Sequence, residues 1–111
     1  MDTPIRKWKR HKVDIRVKLR RADEPETAMN VVRTFELSRG GMSVYASEPL
    51  EVGTVVVCEG TLPGHTMQMR LRAVVRNQRG FRLGFEFLEL SDADTAELVR
   101  YLNSLVDVVE I

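Results

Sequence analysis

Two short clusters in this chain hold the residue types that bind anions. The first is Arg6-Lys7-Trp8-Lys9-Arg10, a basic leader with two arginines four positions apart. The second is Glu36-Leu37-Ser38-Arg39-Gly40-Gly41. Arginine carries a planar guanidinium whose fork makes bidentate hydrogen bonds to phosphate, or to the O6 and N7 edge of guanine. Ser38 offers a hydroxyl that donates to phosphate or bonds locally in a turn. Gly40 and Gly41 permit positive φ and let a ligand approach the main chain closely. Trp8 can stack on a base or pin the leader to the body of the protein, and pinning is the favoured reading. Each cluster also has a plain structural reading. The first would then be a flexible solubilising arm, and the second a β-bulge or tight turn.

The charge distribution supports an anionic partner. The chain has 111 residues and a formal charge of only +1, yet the charges are segregated. Arg6, Lys7, Lys9, Arg10, Lys12, Arg16, Lys18, Arg20 and Arg21 crowd the front, opposed by Asp2 and Asp14 alone. From Glu86 onward the acids Glu86, Glu89, Asp92, Asp94, Glu97, Asp107 and Glu110 face one base, Arg100. A basic front attracts anions, unless it pairs with the acidic end of the same molecule. Cys58 is the sole cysteine, so no intrachain disulfide or cysteine-rich zinc site can form. It sits in the apolar run Val55–Cys58 and reads as a small core residue. The charged leader has no apolar core of a secretory signal, and no run is long enough to span a bilayer. A cytoplasmic protein without membrane insertion is expected. Neither His11 nor His65 approaches an acid or nucleophile in sequence. Metal-ligand spacing, a phosphate loop and a serine–histidine–acid set are all missing from the sequence, so an enzyme is not expected.

The elements that must position these clusters follow from periodicity. Val13–Arg20 alternates apolar and charged residues, the pattern of a strand with one buried face. Further strands are expected over Val31–Leu37, Met42–Ala46, Thr54–Leu62, His65–Arg76 and Phe81–Leu88, with Pro63-Gly64 and Asn77–Gly80 as turns. Phe81, Leu83, Phe85 and Phe87 share one face and are expected to point inward. Arg70, Arg72, Arg76 and Arg82 then alternate outward, as a solvated face from which Arg76 or Arg82 could extend a phosphate patch. After Leu90 the period changes. Ser91 is an N-cap, Asp92 and Asp94 suit the positive end of a helix, and Leu98, Leu102 and Leu105 form one stripe. An amphipathic helix over about 91–106 is expected to cap one mouth of a small barrel. The chain length implies one domain. It divides into a flexible basic arm, 1–12, and a body, 13–111.

These features together resemble the PilZ family, whose paired signature is RxxxR followed by [D/N]xSxxG. Arg6 and Arg10 match the first motif; Glu36, Ser38 and Gly41 match the second, with Glu36 where the family has Asp or Asn. The similarity runs from about Arg6 to Leu105. It includes Pro49–Gly53, Arg72–Arg76, Arg82–Phe87 and the terminal helix. The resemblance implies an all-β fold with a C-terminal helix, a six-stranded antiparallel split barrel. It also implies a receptor for cyclic di-GMP, a bacterial second messenger, and no further cofactor. Arg6 and Arg10 are then expected to hold phosphate and guanine, Glu36 to accept from the guanine N1 and N2 edge, and Ser38 and Gly41 to line the site. Lys9, Trp8, Arg39, Gly40 and Arg76 are supporting candidates. Ligand is expected to order the arm and signal to a downstream protein in motility or biofilm control, as a monomer or a ligand-dependent dimer. The main alternative is a degenerate adaptor that binds a protein without nucleotide. In that case Glu36 pairs with Arg6 or Arg10 and opposes binding. Single-stranded nucleic acid is not the expected partner on this reading, because such binders display aromatic platforms and the aromatics on Phe81–Phe87 read as core.

Overall fold

The computed structural model describes residues 8–65 and 68–105. Arg6 and Lys7 lie outside the described residues. Six strands form the body: β1 (His11–Arg21), β2 (Asn30–Leu37), β3 (Gly41–Tyr45), β4 (Val55–Thr61), β5 (Gln68–Arg79) and β6 (Arg82–Leu88). One helix, α1 (Asp92–Ser104), follows them. The strands close into an antiparallel barrel in the order β1-β2-β3-β6-β5-β4. Closure falls to β1, which pairs with β2 on one side and, through Lys18–Arg21, with Val56–Glu59 of β4 on the other. The expected barrel and capping helix are both present.

Alternation decides which side chains fill the barrel. Ile15 and Leu19 of β1, Val32 and Thr34 of β2, and Met42 and Val44 of β3 are buried, while Asp14, Arg16, Lys18, Arg33 and Tyr45 between them are exposed. Val56, Cys58, Ala73, Val75, Leu83 and Phe85 complete the interior from the other three strands. Burial pushes the Cys58 thiol up to about 12, so it stays protonated and acts as a small apolar filler.

Helix α1 starts as its sequence requires. Ser91 Oγ accepts a hydrogen bond from the Asp94 backbone N–H at 3.0 Å, a cap that contributes about 1 kcal/mol. Leu98, Tyr101 and Leu102 are buried against the barrel, and Leu105 packs beside them. Each fully buried leucine contributes roughly 1.5–3 kcal/mol. A polar fastener joins the helix to the turn after β4. His65 Nδ1 lies 2.7 Å from Glu97 Oε2, and its ring meets Tyr101 edge-on. The fold thus supplies the acid that His65 lacked in sequence.

Two expectations fail at the β5–β6 hairpin. The turn is not Asn77–Gly80, because β5 runs on to Arg79, which pairs with Arg82. A bulge between Val75 and Asn77 shifts the phase and keeps Asn77–Arg79 in the ladder. The turn is therefore Gly80-Phe81 alone. Gly80 has φ +61° and Phe81 does not, the pattern of a type II′ turn. Phe81 consequently stands at the tip, 65% exposed, rather than in the core.

Candidate functional site

The β2–β3 turn is built from its own serine. Ser38 Oγ accepts from the backbone N–H groups of Gly40 and Gly41 at 3.2 and 3.1 Å, and the Ser38 N–H donates to the Gly41 carbonyl at 2.9 Å. These bonds compete with continuation of the strand and fold the chain back. The two glycines are needed for space rather than for positive φ, since neither lies in the left-handed region. A Cβ on Gly41 would collide with the Phe85 carbonyl of β6. A Cβ on Gly40 would meet the indole of Trp8 at 2.5 Å from Cδ1. The expectation that these glycines supply unusual dihedrals is thus corrected: they supply close approach.

Beside this turn is a cleft of about 290 Å³. The elements deliver its lining from five segments. Trp8 and Arg10 come from the segment before β1, Glu36 from the end of β2, and Ser38, Gly40, Gly41 and Ser43 from the turn and β3. Arg76 and Asn77 come from the bulge of β5, and Gly84, Phe85 and Glu86 from β6. Of the residues expected at a site, Arg10, Glu36, Ser38, Gly41, Trp8, Gly40 and Arg76 meet here. Arg39 does not line the cleft but packs on Trp8, its guanidinium carbon 4.6 Å from the ring centroid. Trp8 is thereby held over Gly40, which agrees with the pinning reading. Lys9 does not line the cleft. Arg6 falls outside the described residues.

Four charges face each other across the cleft. Arg10 Nη1 lies 3.5 Å from Glu36 Oε1, and Arg76 Nε lies 2.7 Å from Glu86 Oε2. Glu36 Oε1 also accepts from Ser43 Oγ at 3.4 Å. The site is therefore balanced, two guanidiniums against two carboxylates. Both pairs are substantially exposed, and such pairs contribute only about 0–1 kcal/mol each. An incoming anion with better geometry can take over either guanidinium at small cost. The local chemistry suits a ligand with anionic groups for Arg10 and Arg76 and N–H donors for Glu36.

Sequence reasoning missed Ser43, Asn77 and Glu86. Ser43 was legible in principle, since it is paired with Glu36 across the hairpin and shares its face. Asn77 was hidden by the bulge, which turns an apparent loop residue into a strand residue beside Gly84. Among the described residues no group of histidine, cysteine and carboxylate side chains could hold a metal ion. No helix among them is long and apolar enough to cross a membrane.

Comparison with known proteins places this geometry. The chain resembles three solved structures over most of its length. The PilZ domain of CeSA from a cellulose-synthesizing bacterium matches with a TM-score of 0.66 and 24% identity, over 83% of this chain and 92% of that one. The PilZ domain of YcgR from Escherichia coli, solved with c-di-GMP, matches with a TM-score of 0.71 and 22% identity, over 92% of both chains. The Bacillus subtilis inhibitor of motility, MotI/DgrA, also gives 0.71 at 22% identity, over 93% of this chain. The chain spans about half of that protein, 54%. No curated protein matches the chain. At these identities the likeness establishes the fold. The PilZ domain family model, however, matches residues 4–104, nearly the whole chain, and this protein belongs to the PilZ domain family.

Proposed function

We propose that this protein is a cyclic di-GMP receptor that acts through a downstream protein. The observation that carries the reading is the convergence of Arg10, Glu36, Ser38, Gly41 and Arg76 on one cleft. Arg10 and Arg76 take the two phosphates, exchanging their carboxylates for charge-assisted, bidentate bonds. Glu36, released from Arg10, accepts from the N1 and N2 edge of guanine. Ser38 works indirectly, because its hydroxyl already holds the turn that keeps the Gly40–Gly41 backbone low beside the cleft. Arg6, four residues before Arg10, closes the arm over the ligand. The ligand shifts the arm's equilibrium by its differential affinity for the closed state, and the closed arm is what a partner reads. A bacterial cytoplasmic setting follows from that ligand.

Calorimetric titration with cyclic di-GMP at moderate salt tests this. Saturable binding is expected, with no response to GTP. Arg10→Ala should weaken it by about tenfold to hundredfold, the value of a lost charged hydrogen bond. Absence of heat in the parent protein would sink the receptor reading. One observation favours a second reading, a PilZ adaptor that binds protein without nucleotide. The Arg10–Glu36 pair already occupies the arginine, and Glu is one methylene longer than the family's Asp. Under that reading Glu36→Asp gains nucleotide binding that the parent lacks.

A further inference from the structure

The outer face of β2, β3 and β6 carries a cluster that the cleft does not use. Phe35 and Tyr45 stack with their centroids 4.3 Å apart. The Arg82 guanidinium carbon lies 5.7 and 5.6 Å from the two rings, and so bridges the pair. Phe35 follows Arg33 by two and shares its outer face, and the irregularities between Thr34 and Glu36 on the β3 side and opposite Lys12–Ile15 on the β1 side then return Leu37 to the core. The register then extends the cluster sideways, because Arg33 pairs with Tyr45, Tyr45 with Arg82, and Arg82 with Arg79. Arg33 is neutralised by Asp14 through two bonds of 2.6 and 2.7 Å. Arg79 and Arg82 are in no ion pair among the described residues. Tyr45 is 42% exposed, and Val31 on the same strand face as Arg33 is 64% exposed.

We propose that this face docks an acidic, partly apolar segment of a partner protein, with Arg79 and Arg82 receiving carboxylates and Tyr45 and Val31 receiving apolar side chains. Charge complementarity selects the partner's sign, since the unpaired groups are cations. Composition selects its class. Tyrosine and arginine beside exposed aliphatic surface are what protein interfaces concentrate. A single-stranded nucleic acid needs open ring faces on which successive bases stack. Here the two rings stack on each other, which closes their facing surfaces to a base.

The test is a fluorescence-anisotropy titration of the full chain, without nucleotide, against a labelled synthetic peptide alternating glutamate with leucine. A lysine–leucine peptide and oligothymidylate are the comparison probes. Saturable binding of the acidic peptide is expected, weakened at least tenfold by Arg82→Glu and several-fold by Tyr45→Ser. Arg72→Glu, a reversal of the same charge near the other end of β5, should leave it unchanged. The proposal is overturned if the acidic peptide does not saturate, or if Arg72→Glu weakens it as much as Arg82→Glu does, which would mean diffuse attraction. Tighter binding of oligothymidylate, lost in Arg82→Glu, would reassign the face to nucleic acid.

Discussion

The β2–β3 turn and the β5–β6 turn both lean on glycine, and they do so for different reasons. At Gly80 the backbone adopts φ +61°, and nothing lies within 4 Å of where a Cβ would stand. At Gly41 the backbone is ordinary, but a Cβ would run into the Phe85 carbonyl. Gly80 meets a conformational requirement in open solvent. Gly41 meets a spatial requirement inside the packing that carries β3 against β6. Only Gly41 borders the cleft, so the same residue type has local consequences in one place and functional ones in the other.

Substitutions can break or sharpen that contrast. Gly41→Ala should have the largest effect, because a backbone carbonyl cannot swing aside as a side chain can. A loss of about 3 kcal/mol or more is expected in urea denaturation, together with loss of ligand binding. Ser38→Ala removes the acceptor for two turn amides, and should cost about 1–2 kcal/mol and weaken any ligand that needs the turn in place. Gly80→Ala should cost about 1 kcal/mol through strain at positive φ, while Gly80→Asn recovers most of that loss and neither touches the cleft. Gly40→Ala should have the smallest effect on stability, within about 0.5 kcal/mol, because its neighbour is the movable indole of Trp8. Its signature is a shift in Trp8 emission as the ring leaves its place beside Arg39. If Gly80→Ala proved costlier than Gly41→Ala, the spatial account of Gly41 would be wrong.

The sequence made the barrel legible because period-two alternation marks Val13–Arg20, His65–Arg76 and Phe81–Leu88, and the change of period after Leu90 marks the helix. It was less informative wherever a bulge intervenes. The bulge at Val75–Asn77 moved the hairpin turn from Asn77–Gly80 to Gly80-Phe81, brought Asn77 to the cleft and sent Phe81 out of the core. The irregularity after Thr34 likewise hid from simple alternation that Phe35 and Glu36 both stay outside while Leu37 turns in, and so hid the Phe35–Tyr45 pair. That corrects the inward reading of the aromatics at Phe81. It also weakens the composition argument against a nucleic-acid partner, leaving the ring-on-ring stacking as the stronger ground. At the site, residue types and motif order pointed to Arg10, Glu36, Ser38 and Gly41. The pairing of Arg76 with Glu86 needed the β5–β6 register, which no local pattern encodes.

The seam that closes the barrel is short. Only Lys18–Arg21 of β1 pairs with β4, and the described ladder stops at Lys18 and Glu59. Past that point Gly60 still lies against Val17, with no room for a Cβ, and both border a small apolar gap of about 50 Å³ inside the barrel, lined also by Ile15, Met69 and Leu98. A short ladder opens more readily than a longer unbroken one. Amide hydrogens along that pairing should exchange with solvent through local opening well before those of β3 and β6, whose pairing runs from Gly41 to Tyr45 without a break. Leu98 of α1, itself buried, lines the same gap, so the helix acts as a clasp on the opening motion as well as a lid on the core.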